Sequence, residues 1–187
     1  MNAYGYVGGN PLSSIDRLGL RTAVVVDGTS GGNPFGHTSV ATTGSGLYSY
    51  GTRVGGTLDL GVSLTGYLSE RVQGRNISVI IINTTTEQEK AILERLQNFP
   101  YKLPPWILGR FPDPTDTCST RTSDALGAGG MANPDPLILL GSPAFPVDVL
   151  SQAEFRRQAL GGTTINLPKG TDSIPFELTE FNPQPIL

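Results

Sequence analysis

The hydrophobic and polar positions fall into short β-type runs in the first half of the chain and helix-type runs in the second. Thr22-Ala-Val-Val-Val-Asp27 is apolar and β-branched, and it stops at a glycine-rich stretch, Gly28 to Pro34. That pattern predicts a strand followed by a long turn. The turn leads through Phe35-Gly36-His37 into two further runs, about 37–43 and 47–52, separated by Gly44-Ser45-Gly46. A separator of hairpin length, with glycines able to take positive φ, predicts an antiparallel hairpin with His37 at one end. Residues 55–74 give no clear period. Ile77 to Asn83 reads as a buried strand, and Thr84 to Gln97 as a helix with a threonine cap, early Glu87 and Glu89, and apolar Ala91, Ile92, Leu93 and Leu96.

Further along, Cys118 to Leu126 opens as a helix capped by Asp116 or Thr117. Residues 127–136 read as a loop, 147–160 as another helix, and everything from Ile165 onward as a proline-punctuated extended tail. Phe99 to Leu108 is an aromatic-proline loop suited to walling a cleft or plugging a core. Strands first and helices after them predict an α+β fold, an antiparallel sheet packed against helices.

Composition narrows the function. A chain of 187 residues supports one well-buried core, and a net charge of −3 provides no basic field for nucleic acid. One cysteine cannot form an internal disulfide, and with one histidine it makes a poor zinc site, so neither metal nor cofactor is expected. The most apolar run, Ile77 to Ile82, is far shorter than a membrane span, and the first residues lack the basic and apolar segments of a secretory signal.

The single histidine and the single cysteine both stand where chemistry is favoured. His37 opens a strand and Cys118 opens a helix, where a thiolate is stabilised by the helix N-terminus and an imidazole within reach can take the thiol proton. Ser49 or Tyr50, on the next strand, can orient the imidazole through a hydroxyl; alternation allows only one of them on the histidine's face, and Ser49 is preferred because Tyr48 and Tyr50 then share the other. Each residue also has an ordinary alternative. A lone cysteine packs as a small hydrophobe, and a lone histidine as a polar surface or core group.

The first twenty residues have a different texture: Tyr4 and Tyr6 alternate with small residues, Gly9-Asn10-Pro11 forms a turn signal, and Asp16-Arg17-Leu18-Gly19-Leu20 follows. In order and spacing this segment resembles the end of the core of Rhs (YD-repeat) proteins, with Arg17 where that family has proline. The resemblance implies self-cleavage between Leu20 and Arg21 with Asp16 as one participating acid. It also implies that residues 21–187 are a toxin domain carried in an Rhs shell, delivered by a secretion system such as type VI into a rival bacterium, and neutralised at home by a cognate immunity protein.

Within 37–126, Gly36-His37-Thr38-Ser39-Val40-Ala41 at a strand start, the glycine hairpin, and Thr117-Cys118-Ser119-Thr120…Asp124-Ala125-Leu126 at a helix start resemble the circularly permuted papain-like superfamily. That superfamily includes the permuted NlpC/P60 and lecithin:retinol acyltransferase-like enzymes, in which histidine precedes cysteine. Thr117 stands where an asparagine is typical, and Thr120-Arg121 where an aromatic region is. The resemblance implies Cys118 as nucleophile, His37 as general base, and Ser49 or Tyr50 as orienting residue, acting on an amide or ester. Two alternatives belong to other classes. One is an ADP-ribosyltransferase or NAD-consuming toxin, for which Glu177 and Glu180 are the available downstream acids; the other is a non-enzymatic binding module, in which both His37 and Cys118 are dispensable.

Overall fold

A computed structural model describes residues 19–30, 33–50, 59–98, 117–132 and 145–184. Six strands form one antiparallel sheet: β1 (Arg21–Asp27), β2 (His37–Thr42), β3 (Gly46–Ser49), β4 (Asp59–Val62), β5 (Ile77–Asn83) and β6 (Gly162–Leu167), in the order β4-β3-β2-β1-β5-β6. Helix α1 (Leu64–Arg71) lies between β4 and β5, α2 (Thr86–Gln97) follows β5, and α3 (Cys118–Ala128) and α4 (Pro146–Leu160) precede β6. A 3-10 turn over Phe176–Phe181 comes last. The α+β expectation of an antiparallel sheet packed against helices holds.

Strand β1 is unbroken in its apolar character because it lies inside the sheet with both faces covered, and Ala23, Val24 and Val25 are fully buried. Successive side chains alternate between two cores. Ala23, Val25, Ala41, Leu47, Val79 and Ile81 pack on one face against Leu64, Tyr67 and Leu68 of α1 and Leu178 and Phe181 of the 3-10 turn. Val24, Val40, Tyr48, Ile80 and Ile82 pack on the other against α2, α3 and α4, through Ile92, Leu96, Ala125, Leu126, Val149 and Ala153. The molecule thus has three layers, with the sheet in the middle.

Local chemistry explains most boundaries. The β2–β3 hairpin turns through Gly44 and Gly46, both at positive φ, as the glycine pair predicts. Helix α2 begins at Thr86 rather than Thr84: Thr85 is the cap, in a reciprocal box with Gln88. Thr84 instead donates from its hydroxyl to the Glu89 carboxylate. Thr117 caps α3 in the same manner, its hydroxyl accepting from the Thr120 backbone N–H at 3.2 Å.

Two expectations change. The region 55–74, read as lacking a period, contains β4 and α1, whose four and eight residues are too short to impose one. The segment from Ile165 onward is not simply an extended tail. Its start belongs to β6, which adds an edge strand to β5 with Ile165 opposite Val79 and Leu167 opposite Ile77, and the 3-10 turn then returns Leu178 and Phe181 to the core. Pairing energy from a distant strand decides this, and the local pattern holds no trace of it. The aromatic-proline loop 99–108 and the Rhs-like segment 1–18, including Asp16, lie outside the described residues.

Candidate active site

The end of the sheet where β1 finishes and β2 starts gathers the polar residues. Asp27 is paired in register with His37, and Val25 with Ser39. Ser39 is in turn paired with Ser49 of β3. Alternation therefore sets Asp27, His37, Ser39 and Ser49 on the α1 face at one corner. Gly36 makes the entry to β2 possible. At φ +82 its α-carbon comes so close to β1 that an added Cβ would stand 2.4 Å from the Asp27 carbonyl oxygen, an approach only glycine allows.

His37 Nε2 lies 2.7 Å from Ser49 Oγ. Helix α1 and the turn after it close the corner: the Tyr67 hydroxyl donates to Asp27 Oδ2 at 3.2 Å, and Arg75 Nη1, from that turn, stands 3.6 Å from the same oxygen. Arg71 lies over the Tyr67 ring, 5.0 Å from its centroid. Burial, reinforced by the Arg71 and Arg75 charges, holds the His37 imidazole well below its usual range, at about 4. The imidazole is neutral at physiological pH. Burial also pushes the Asp27 carboxyl upward, opposed by the two arginines, and raises the Tyr67 phenol, which the Asp27 charge raises further.

Tyr50 turns to the opposite face. Its hydroxyl donates to the Leu96 carbonyl, and the Arg121 guanidinium lies 4.7 Å from its ring centroid. Of the two residues expected to orient His37, the structure brings Ser49 to it and sends Tyr50 into the α2–α3 layer.

Cys118 is the first residue of α3 and is 6% exposed, with Sγ 3.9 Å from Ser119 Oγ. Helix α3 belongs to the layer across the sheet from the His37–Ser49 corner, and no hydrogen bond joins Cys118 to His37 among the described residues. The direction of α3 still brings them to the same end. Its C-terminus meets the N-terminal part of α2, where Gln88 Nε2 donates to the Gly129 carbonyl at 3.1 Å, and Arg95 pairs with Asp124 midway. Near its start, Thr122 accepts from Thr38 Oγ1 at 3.2 Å. Cys118 is one turn before Thr122 on the same helix side, toward the end of the sheet at which β2 starts.

Leu20 and Arg21 are at the other end of β1. The Leu20 carbonyl accepts from the Thr84 backbone N–H at 2.9 Å, the Arg21 N–H donates to Thr43 Oγ1 at 2.9 Å, and the Arg21 side chain pairs with Glu180. Glu180 is therefore bound at the end of the sheet opposite His37, and Glu177 belongs to the same 3-10 turn. Among the described residues no cluster of three or more histidine, cysteine, aspartate or glutamate side chains could hold a metal ion.

Sequence reading missed Asp27, Tyr67 and Arg75. A clear signal existed for one of them: Asp27 is a carboxylate closing an otherwise apolar strand, opposite the strand that His37 opens. Tyr67 and Arg75 carried no such signal, since they come from a segment without a legible period. No family model, curated protein or solved structure matches the chain.

Proposed function

We propose that residues 21–187 form a toxin domain of the Rhs type that acts as a thiol hydrolase or acyltransferase on an amide or ester, with an arrangement like that of the permuted papain-like enzymes. Cys118 is the nucleophile, His37 its general base and Ser49 the residue that orients the base. What supports this reading is that Thr38, next to His37 on β2, bonds Thr122, one turn after Cys118 on α3, across the sheet from the His37 side chain, and that His37 Nε2 is held by Ser49. A neutral imidazole bound through Nε2 has Nδ1 available to accept a proton.

In the reaction His37 takes the proton from Cys118 Sγ, and the sulfur attacks the substrate carbonyl carbon as the carbonyl electron pair moves onto oxygen. Backbone N–H groups of the first turn of α3 hold that oxyanion. The pair returns, the amine or alcohol leaves with the proton from His37, and water or an acceptor then releases the acyl group from sulfur by the same steps in reverse.

The test uses the fact that the chain has one cysteine. The full chain is expressed in bacteria, directed once to the cytoplasm and once to the periplasm, as wild type, Cys118→Ala and His37→Ala. Growth arrest in one compartment, abolished by both substitutions and relieved by the product of the neighbouring gene, is expected. In the purified protein, iodoacetamide labelling of Cys118 at pH 7 slows about tenfold in His37→Ala. Arrest that survives Cys118→Ala overturns the thiol mechanism, and labelling that is indifferent to His37 overturns the pairing.

A further inference from the structure

We propose that the corner beside His37 is a binding site for one buried water molecule, held as a fixed part of the structure by the Asp27 carboxylate through Oδ1, by the Ser39 hydroxyl and by Arg75 Nε.

Three unmatched polar atoms share this place. Asp27 Oδ1, Ser39 Oγ and Arg75 Nε are each buried without a hydrogen-bond partner among the described residues. The pairing of Asp27 with His37 and of Val25 with Ser39 makes Asp27 and Ser39 diagonal neighbours on adjacent strands, and both are on the face that α1 covers. Both are 1% exposed. Arg75 reaches the same carboxylate from the turn after α1, yet its Nη1 stops 3.6 Å from Oδ2. That separation is too long for a direct hydrogen bond and is of the kind at which a bridging water is found. The other hydroxyls of the corner are engaged elsewhere: Tyr67 donates to Oδ2, and Ser49 Oγ meets His37 Nε2.

Ordinary packing does not account for a serine and an aspartate here. The same face of the two strands is otherwise lined by Ala23, Val25 and Ala41, and an apolar side chain in place of either polar one would leave nothing unpaired. The three atoms are one acceptor, one donor and one hydroxyl that is both. A water has two protons and two lone pairs, so it donates to Oδ1, accepts from Nε and bonds Ser39 in either sense. Internal waters typically make about three such bonds to buried groups that would otherwise go unpaired. Other occupants fit worse. An anion would meet the Asp27 charge and a cation the Arg75 charge, and at 1% exposure Asp27 and Ser39 leave no opening for a larger polar molecule. The bound water ties the carboxylate that stands opposite His37 in register to β2 on one side and to the turn after α1 on the other.

Crystals of the full chain that diffract well enough to show ordered waters test this. One peak is expected about 2.6–3.2 Å from both Asp27 Oδ1 and Ser39 Oγ, with Arg75 Nε as its third neighbour. Ser39→Val puts methyl groups in the place of one ligand, and its crystals are expected to lose the peak. The proposal is overturned by wild-type crystals with no peak there, by a direct Ser39–Asp27 hydrogen bond, by Arg75 Nε bonded straight to Oδ1, or by a peak ringed by about six oxygens at metal distances. A folded Ser39→Val protein that keeps the peak on Asp27 overturns the part given to Ser39. None of these outcomes depends on the thiol chemistry of Cys118.

Discussion

Acidification should destabilise this protein through one residue. His37 is held to about 4 by burial and by the Arg71 and Arg75 charges, whereas an unfolded histidine titrates near 6.5. Above about pH 6.5 the imidazole is neutral in both states and contributes no pH dependence. Between 6.5 and 4 the unfolded chain binds a proton that the native protein refuses, so stability falls as the pH falls, and below about 4 the loss is complete. The whole difference corresponds to about 3 kcal/mol, most of which is lost by pH 4.5. That is a large part of the roughly 5–15 kcal/mol typical of a domain. Urea unfolding at pH 7.5 and 4.5, in wild type and His37→Gln, measures it. Asp27 and Glu89, whose carboxyls burial raises, titrate in both proteins and with the opposite slope, so the double difference isolates the histidine. With a slope of about 1–3 kcal/mol per molar urea, the wild-type midpoint should drop by about 1–2 M more than the variant's. The single histidine Cε1–H resonance gives the midpoint directly. A midpoint at 6.5, or a double difference below about 0.5 kcal/mol, refutes the reasoning. A midpoint well above 6.5 means an imidazolium paired with a thiolate, and overturns the neutral base.

Two substitutions probe the frame that holds the site. Gly36→Ala would force a Cβ to 2.4 Å from the Asp27 carbonyl at a positive φ, so denaturation should show a loss of more than about 1–3 kcal/mol, accompanied by a shifted His37 resonance. Glu89→Ala removes the acceptor of the Thr43 backbone N–H, the Thr43 hydroxyl and the Thr84 hydroxyl. A loss of about 2–4 kcal/mol is expected by urea unfolding, with the His37 resonance unmoved because Glu89 is at the opposite end of the sheet.

The elements with strong local signals were legible from residues alone. The β-branched run of β1, the glycine hairpin, the isoleucines of β5 and the caps of α2 and α3 each express a preference that acts over a few residues. Alternation also carried the choice of Ser49 over Tyr50 onto the histidine's face, because a period of two permits no other division. The corner around His37 was legible only in part. Its strand residues could be placed by counting, but Tyr67 and Arg75 enter from around a short helix whose position depends on Leu64, Tyr67 and Leu68 packing into the sheet.

By itself the sequence determined which residues could do chemistry, since there is one histidine and one cysteine, and which short segments would be strands or helices. Tertiary structure alone decided that β6 would join β5, that α3 would run so as to bring Cys118 to the His37 end, and that a buried Asp27 and Tyr67 would stand behind the imidazole. The physical reason is range. Propensity, capping and alternation are interactions of neighbours, whereas strand order, helix direction and the desolvation that sets a histidine's charge are sums over groups far apart in the chain.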